Sequence, residues 1–335
     1  MDTDFVLSSR VRLARNYDDL PFRGVMDEEN AEVCLSRTVA AMNRAGAEEG
    51  FMLIRLRDLS DNQRRVLAEQ HFVSEDLLQQ PDMAAVLLNA AEGVSVMINE
   101  EDHLRIQAIR PGMDILGAAQ RAFRVDDALS RQVRFAFDDE LGYLTACPTN
   151  TGTGMRASLL MHLPMLTAKK QMGNVSQIVA KVGLTVRGVY GEGSEALGQI
   201  YLISNQVTLG RSEQDLISAL SAVGQQLMGM EQTLRQQALE KERVKLEDSV
   251  YRGFAVLNHA RLLAAPELYR CWSGLRLGCA MGILKATTRL CDELLDEAQD
   301  AHLRAWAEQA LEGESLNEAR ASRVRELMRV IRHAM

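Results

Sequence analysis

A short glycine-rich stretch, CPTNTGTGMRAS at residues 147–158, combines three kinds of group that can do chemistry. It begins with a thiol, Cys147, continues with hydroxyls and glycines, and contains one arginine, Arg156. Glycine-rich loops often bind phosphate through their backbone N–H groups. No Lys-Ser or Lys-Thr pair follows the glycines, so this is not a Walker loop. The stretch therefore resembles a phosphate-binding turn in which arginine replaces lysine and a thiol lies nearby.

Arginine recurs in three other segments with turn-forming or strand-like sequence. In LSSRVRLARN (7–16) two arginines are two residues apart and point to one side of an extended chain. In NEEDHLRIQ (99–107) an arginine follows Glu101 by four residues, and in RGVYGEGSEALG (187–198) one precedes Glu192 by five. These arginines are Arg10, Arg12, Arg105 and Arg187. Arginine binds phosphate in a bidentate manner, so with Arg156 they could bind a nucleoside triphosphate. Each segment alone is more often a solvated surface, and spacing does not prove convergence.

Length, composition and charge limit the classes of protein to consider. The 335 residues suffice for two domains, and 47% hydrophobic and 25% charged residues are ordinary for a globular protein. We find no apolar run near the ~20 residues that span a bilayer and no signal peptide, so we expect no membrane partner. The five cysteines form no C-x-x-C pair, which favours a reducing cytoplasm. The net charge of −8 argues against nucleic acid as a partner.

Strand-like runs alternating irregularly with helical patterns predict an α+β fold with an antiparallel sheet in residues 1–240. The runs are FMLIRL (51–56), VSVMIN (94–99), GYLTACP (142–148), LTVRGVYG (184–191) and IYLISN (200–205), with helices over 31–45 and 113–136. Ser212 and Asp215 predict the start of a long helix with an apolar stripe at spacings of four and three. A charged helical connector (235–252) leads into a smaller all-helical domain, residues 241–335.

The four quoted segments resemble motifs of the phosphagen kinase superfamily, the creatine and arginine kinases, and they occur in the family's order. SEALGQIYLISNQVTLGRSEQDLI (194–217) is similar to the bacterial protein arginine kinase branch in particular. The resemblance is strong over about residues 4–255 and weak over the remaining helices. It implies a phosphagen-kinase-like antiparallel sheet flanked by helices. It also implies transfer of the γ-phosphoryl group of ATP to the guanidino group of arginine side chains in proteins.

The resemblance implies roles for three candidate catalytic residues. A guanidinium has a pKa above about 12, so neutralising it at pH 7 costs on the order of 8 kcal/mol. A carboxylate placed on it accepts the proton as the N–P bond forms and orients the attacking nitrogen. We expect Glu101 to be the principal base, Glu192 its orienting partner, and Cys147 an electrostatic group beside the guanidinium. A covalent phosphocysteine and an inert buried thiol are the alternatives for Cys147.

The same resemblance implies a cradle for ATP and Mg²⁺. His71 matches a nucleotide-contacting histidine, which would stack on or hydrogen-bond the adenosine. Mg²⁺ would bridge the phosphates and be held largely by phosphate oxygens and water, without a metal ligand from the protein. The implied nucleotide-binding residues are Ser8, Ser9, Arg10, Val11, Arg12, His71, Arg105, Arg156, Ala157, Ser158, Leu159, Leu160, Arg187, Gly188, Val189, Tyr190, Gly191 and Glu192.

Partners are also implied by the resemblance. The protein-directed branch marks proteins for Clp-type proteolysis and has a zinc-binding activator protein. The small-molecule kinases carry a helical domain before the S-S-R-V-R motif, which begins here at Ser8, so we expect a more open guanidino site. The apolar stripe after Ser212 favours a homodimer. A kinase for free arginine or another small guanidine, and an ATP-binding adaptor without catalysis, stay open as alternatives.

One motif of the branch is degenerate in this chain. An R-D-x-x-R-A motif in the C-terminal helices of the branch binds phosphoarginine and feeds back on activity. The matching stretch is LNEARA (316–321), in which Leu316 and Asn317 replace the first two residues while Arg320 and Ala321 fit. The loss of a charge-assisted contact weakens binding by about 2 kcal/mol or more. We therefore expect weak or no phosphoarginine binding, and a plain basic helix is the alternative.

Overall fold

A computed structural model describes residues 2–189 and 196–333. The described residues form ten strands, which are β1 (Val6–Arg15), β2 (Met52–Arg55), β3 (Ala85–Asn89), β4 (Val94–Ile98), β5 (Leu104–Pro111), β6 (Phe137–Asp138), β7 (Gly142–Tyr143), β8 (Met155–His162), β9 (Leu184–Gly188) and β10 (Ile200–Asn205). Eight of them form one sheet in the order β2-β3-β4-β5-β1-β8-β10-β9, while β6 and β7 form a separate hairpin. All neighbouring strands are antiparallel.

The helices lie between the strands and after the last strand along the chain. Within the described ranges they are α1 (Glu28–Arg44), α2 (Asp61–Glu69), α3 (Glu75–Leu78), α4 (Ile115–Ser130), α5 (Pro164–Ala168), α6 (Met172–Ala180), α7 (Glu213–Lys241), α8 (Arg243–His259), α9 (Ala265–Ala280), α10 (Thr288–Glu297), α11 (Asp300–Ala307) and α12 (Gly313–His333). None of them is both long and apolar enough to cross a membrane, as far as the chain is described.

One face of the sheet is buried against helices and forms the main core. Val11 of β1, Ile106 of β5 and Leu159 of β8 are fully buried there. The apolar stripe of α7 contributes to the same core through Leu216, Leu220, Val223, Leu227 and Leu234. The stripe is therefore used inside the chain, so it is not a free surface for a second copy.

Among the described residues, helices cover the opposite face of the sheet at its two ends. Val86 and Met97 pack against the segment that contains α2 and α3. At the other end, Ile200 packs in a second cluster with Tyr269 and Trp272 of α9. A cleft remains between these two covers, over the central strands β5, β1 and β8. This cleft is where the sheet can offer side chains to a ligand.

A buried arginine fastens the C-terminal helices to the beginning of β1. Arg276 of α9 is fully buried and forms a bidentate ion pair with Asp292 of α10, at 2.7 and 3.2 Å. The same guanidinium donates to the carbonyls of Thr3 at 2.7 Å and Asp4 at 3.0 Å. Every contact of this guanidinium is thus made inside the protein, which makes the joint between the sheet and the helices specific.

The structure confirms the α+β class, the antiparallel sheet and the helical C-terminal region. The cap of α7 is also confirmed, because Ser212 and Asp215 form a reciprocal capping box. The strand predicted over 142–148 is wrong beyond Tyr143. There the N–H of Ala146 donates to the Asp102 side chain instead of a strand, and Pro148 has no N–H to donate. The boundary between residues 240 and 241 stays a prediction.

Candidate active site

Register places all five motif arginines on one face of the sheet. Arg12 of β1 lies directly opposite Arg156 of β8. Ala14, two residues after Arg12 on β1, lies opposite Arg105 of β5. Directly paired residues share a face, and so do residues two apart on one strand. The same rule brings Arg10 and, through β10, Arg187 onto this face. The cleft over the central strands is thus lined by arginine, which we call the arginine face.

The clustered positive charges of the arginine face favour the binding of an anion. Burial lowers the pKa of Arg12 well below its usual value, and the positive charges of Arg10, Arg105 and Arg156 lower it further. Two buried polar atoms here, Nε of Arg12 and Oγ of Ser158, have no hydrogen-bond partner among the described residues. Crowded cations and unpartnered polar atoms are costly without a ligand. A phosphate chain would supply both the negative charge and the acceptors.

Acidic residues close the arginine face at the start of β5. Glu100 is buried, forms an ion pair with Arg105, and accepts from the backbone N–H of Glu101 at 2.8 Å. Glu101 is exposed, and its Oε2 lies 3.4 Å from Nη2 of Arg105. Partial burial raises the pKa of Glu101, with a further contribution from Asp102. Glu100 thus makes the closer contact with Arg105, while the exposed Glu101 makes a longer one and can also meet a second cation.

The cysteine turn is joined to this acidic segment by a buried carboxylate. Oδ1 of Asp102 accepts from the backbone N–H of Ala146 and from the side-chain amide of Asn16, each at 2.7 Å. Asp102 follows Glu101, and Ala146 precedes Cys147, so the hydrogen bond brings the two candidate catalytic residues to one end of the cleft. Sequence reasoning missed Asn16, Glu100 and Asp102. The signal was their place inside the quoted motifs LARN and NEEDH.

The turn itself is held by hydroxyls and by one glycine. Cys147 is a free, half-buried thiol whose Sγ lies 3.0 Å from Oγ1 of Thr149. Thr208 donates to the carbonyls of Thr149 and Thr151, at 3.0 and 2.6 Å. Gly152 has a φ of 118°, and a Cβ there would lie 2.6 Å from the Thr208 carbonyl oxygen. The glycine is thus required by backbone packing, and the turn presents a rigid thiol.

His71 lies at the other end of the arginine face, in the turn after α2. Its carbonyl accepts from Nε2 of Gln107 at 2.6 Å, and its φ of 63° is left-handed. Burial and the charge of Arg10 lower the pKa of His71 to about 4, so the ring is neutral at pH 7. With Ser8, Leu160 and Val189 it lines a small cavity of about 90 Å³. A neutral ring beside an apolar slot can contact a nucleoside.

Several implied nucleotide-binding residues do not face the cleft. Side chains alternate along a strand, so each contiguous motif contains residues of both faces. Ser9 is buried on the far side, where its Oγ donates to the Gly112 carbonyl at 2.7 Å. Gly188 lies beside Tyr201, which is on that far side too. The others that pack into the main core are Val11, Ala157 and Leu159. Tyr190, Gly191 and Glu192 lie outside the described residues.

Two family descriptions match the chain. Residues 34–234 match the ATP:guanido phosphotransferase C-terminal catalytic domain. Residues 243–334 match the protein-arginine kinase McsB C-terminal domain. The two matches follow each other along the chain and together cover the sheet with its flanking helices and the C-terminal helices.

Two protein-arginine kinases are similar to the chain in sequence over nearly its whole length. The protein-arginine kinase of Bacillus cereus (strain B4264) is 42% identical over 332 residues, which are 98% of this chain and 94% of that protein. The protein-arginine kinase of Geobacillus thermodenitrificans (strain NG80-2) is 41% identical, with 98% and 92% covered.

Two solved kinase structures have a similar fold. The substrate-free duplicated taurocyamine kinase from Schistosoma mansoni superposes with a TM-score of 0.62 at 28% identity. That match covers 71% of this chain and about a third (35%) of the duplicated enzyme. Lombricine kinase gives a TM-score of 0.61 at 26% identity, covering 72% and 68%. The chain therefore belongs to the ATP:guanido phosphotransferase family, and within it to the protein-arginine kinases.

Proposed function

We propose that the chain transfers the γ-phosphoryl group of ATP to the guanidino group of arginine side chains in proteins. One observation carries the proposal: a face with five arginines ends at Glu101 and Cys147, which a hydrogen bond of Asp102 holds together. Relatives at 40–42% identity over nearly the full chain are named protein-arginine kinase. The arginine face suits the triphosphate, and the acid–thiol end suits a cationic acceptor.

In this reaction we assign the proton to Glu101. A guanidino nitrogen attacks the γ-phosphorus, the N–P bond forms as the bond from phosphorus to the ADP oxygen breaks, and the nitrogen's proton passes to the carboxylate. The raised pKa of Glu101 supports the role, because a stronger base accepts the proton more readily. Cys147 adds negative charge beside the cation when ionised. Glu192 completes the site as the orienting acid, on the resemblance of its motif.

We also propose that the phosphate charge is shared between arginine and Mg²⁺. The described residues contain no group of three or more His, Cys, Asp or Glu side chains suited to a metal ion. The arginines and the unpartnered Ser158 hydroxyl fit phosphate oxygens, so Mg²⁺ would be held mainly by those oxygens and by water. When bound, the ion neutralises part of the phosphate charge.

The test is the chemistry of the product. The enzyme is incubated with ATP and casein, and the modified residues are located by mass spectrometry. We expect phosphate on arginine as a phosphoramidate, which is lost in mild acid and survives alkali better than phosphoserine. Acid-stable label on hydroxyl residues would contradict the assignment. Label on neither casein nor free arginine, with intact ATP binding, would favour an adaptor without catalysis.

A kinase for free arginine is the second candidate, because the same end of the cleft would accept any guanidinium. The two are separated by adding free arginine and casein together at matched guanidino concentrations. We expect phosphate on casein and little on free arginine. The reverse preference would identify a small-molecule kinase.

We further propose a cytoplasmic location, a zinc-binding activator protein and a Clp-type protease as partners, on the resemblance of the motifs alone. The apolar stripe of α7 predicts a homodimer, but its leucines and Val223 are buried in the main core. A dimer would therefore need another surface. Light scattering of the purified chain at several concentrations measures its molar mass and decides between monomer and dimer.

A further inference from the structure

A second cavity joins the arginine face to the C-terminal helices. It has a volume of about 320 Å³ and shares Arg10, His71 and Leu160 with the 90 Å³ cavity. Its far wall is built by the C-terminal helices, with Tyr269 from α9 and Asp296 from α10. The two cavities thus form one cleft that starts at the sheet and ends at the C-terminal helices.

The arginine face fixes the direction in which a nucleotide would lie in this cleft. Arg12, Arg105 and Arg156 cluster near the acidic end, where the reacting phosphate must be. From Arg12 to Ser8 on β1 the chain advances by roughly 13 Å, at about 3.4 Å per residue. A triphosphate with its ribose covers roughly that distance. The base then reaches Leu160, which belongs to both cavities.

Leu160, Ile200 and Leu295 give the second cavity an apolar surface, which suits a flat base. Its polar side chains differ in what they can still bind. Gln299 is occupied, because its amide donates to Oη of Tyr269 and to the Leu295 carbonyl, each at 3.0 Å.

On the wall formed by the C-terminal helices, Asp296 has capacity left for a ligand. Its carboxylate forms no hydrogen bond within the described part of the chain, and it is open to the solvent of the cleft. Partial burial of the carboxylate in the cleft raises the pKa of Asp296 to about 7, and the charge of Asp292 contributes. A carboxylate in such surroundings gains from any donor that a ligand brings.

The wall with Asp296 is fastened to the turn with His71. Glu69, two residues before His71, accepts from the N–H groups of Ala301 and His302 at 2.8 and 3.1 Å. Nδ1 of His302 also lies 2.7 Å from this carboxylate, and Asn62 donates to the Ala301 carbonyl at 3.1 Å. These hydrogen bonds join α2 to α11, and so connect the side of the cleft with His71 to the C-terminal helices.

We propose that the C-terminal helices complete the nucleotide site, and that Asp296 accepts a hydrogen bond from the exocyclic amine of an adenine base. The chain would thereby prefer adenine to a purine that carries a carbonyl at that position. The inference depends on the proposed function in one respect, which is that the chain binds a nucleotide. It assigns base recognition to a part of the chain outside the sheet.

The test compares binding of ADP and IDP, the inosine diphosphate, by titration calorimetry with the full chain. We expect the parent to bind ADP roughly tenfold more tightly than IDP, because a charge-assisted hydrogen bond is gained. In Asp296→Ala the ratio should fall to about one through weaker ADP binding. In Asp296→Asn it should move toward IDP, since an amide can donate to the inosine carbonyl. Glu293→Ala is the control on the same helix, as its carboxylate pairs with exposed Arg289.

Equal binding of ADP and IDP by the parent would overturn the proposal. An equal loss for both nucleotides in Asp296→Ala would also overturn it, because the residue would then act on the fold or on the phosphates. If the parent binds neither nucleotide, the cleft is not a nucleotide site and the proposal is wrong. Circular dichroism checks that each variant is folded. The titration contains no arginine acceptor and requires no phosphoryl transfer. Its result can therefore be interpreted even if the proposed kinase activity fails.

Discussion

Oδ1 of Asp102 accepts a hydrogen bond from the backbone N–H of Ala146 at 2.7 Å. The carboxylate is almost fully buried, and the same oxygen also accepts from Asn16 at the end of β1. Two loops that are distant in sequence are thereby held at a fixed separation. One loop carries Glu101 and the other carries Cys147, so a residue that never needs to touch the substrate sets the geometry of both.

Removing this carboxylate should damage catalysis without damaging nucleotide binding. Asp102→Ala leaves two donors unsatisfied and frees the cysteine turn, so we expect kcat to fall by about 10- to 100-fold. ADP affinity should change by less than about twofold, because the arginine face is untouched. Asp102→Asn keeps an oxygen acceptor and should lose less. Exposed Asp82→Ala is the control. A parallel loss of ADP affinity would show a general structural role.

The raised pKa of Glu101 predicts a pH profile. The base acts only when ionised, so kcat/KM should rise as pH increases through the raised pKa of Glu101, above the ordinary value of about 4.3. Glu101→Gln should lower kcat by about 100-fold or more and remove this acidic limb, while ADP binding stays near normal. Rates from pH 4 to 8 for parent and variant measure it. Near-normal turnover in Glu101→Gln would disprove the role.

Cys147→Ser should slow turnover substantially without abolishing it. A serine keeps the hydrogen bond to Thr149 but cannot ionise at neutral pH, so only the electrostatic contribution is lost. The half-buried Cys271→Ser in α9 is the matched control and should retain full activity. Complete loss, together with a phosphocysteine trapped in the parent, would instead identify a covalent intermediate.

Strand patterns predicted only part of the arginine face, because β5 and β8 were not among the predicted strand-like runs. Arg10 and Arg12 are two residues apart, so a single strand assignment was enough to place them together. The continuous motif also contains Ser9 and Val11, but because side chains alternate along a strand, these two residues point into the core. A motif can be found in the sequence as a whole. Which face of the sheet each of its side chains occupies depends on how the strands pair.

The organising role of Asp102 could not be predicted from the sequence. Glu100, Glu101 and Asp102 are consecutive acids in the loop before β5, and the path of that loop decides which is buried and which is exposed. The bond to Ala146 spans 44 residues between two loops without repetitive structure. Such contacts follow from tertiary packing, which periodicity does not report.

Arg320 should matter for stability and not for phosphoarginine binding. Its buried guanidinium already donates to the carbonyls of Ala298 and Leu263 and pairs with Asp300. We expect free phosphoarginine to stimulate the kinase weakly or not at all. Arg320→Ala should lower the free energy of unfolding by about 3 kcal/mol. Urea unfolding and a kinase assay with added phosphoarginine measure the two effects, with exposed Arg329→Ala as control. Strong stimulation that Arg320→Ala abolishes would contradict this prediction.

The contacts of Arg276 bear on how the chain folds during synthesis. Its guanidinium binds the carbonyl of Thr3, 273 positions earlier, so the segment just before β1 cannot make this contact until α9 has left the ribosome. Strand β1 lies in the middle of the sheet, between β5 and β8. The central strand β1 is thus synthesised before the other strands of the sheet, but the segment before it is anchored only after α9 is made. Contacts between residues so far apart in sequence carry a large loop-closure entropy and slow folding. A fragment that stops after α7 would leave the carbonyls of Thr3 and Asp4 without this donor, so the sheet alone is not a smaller version of the enzyme.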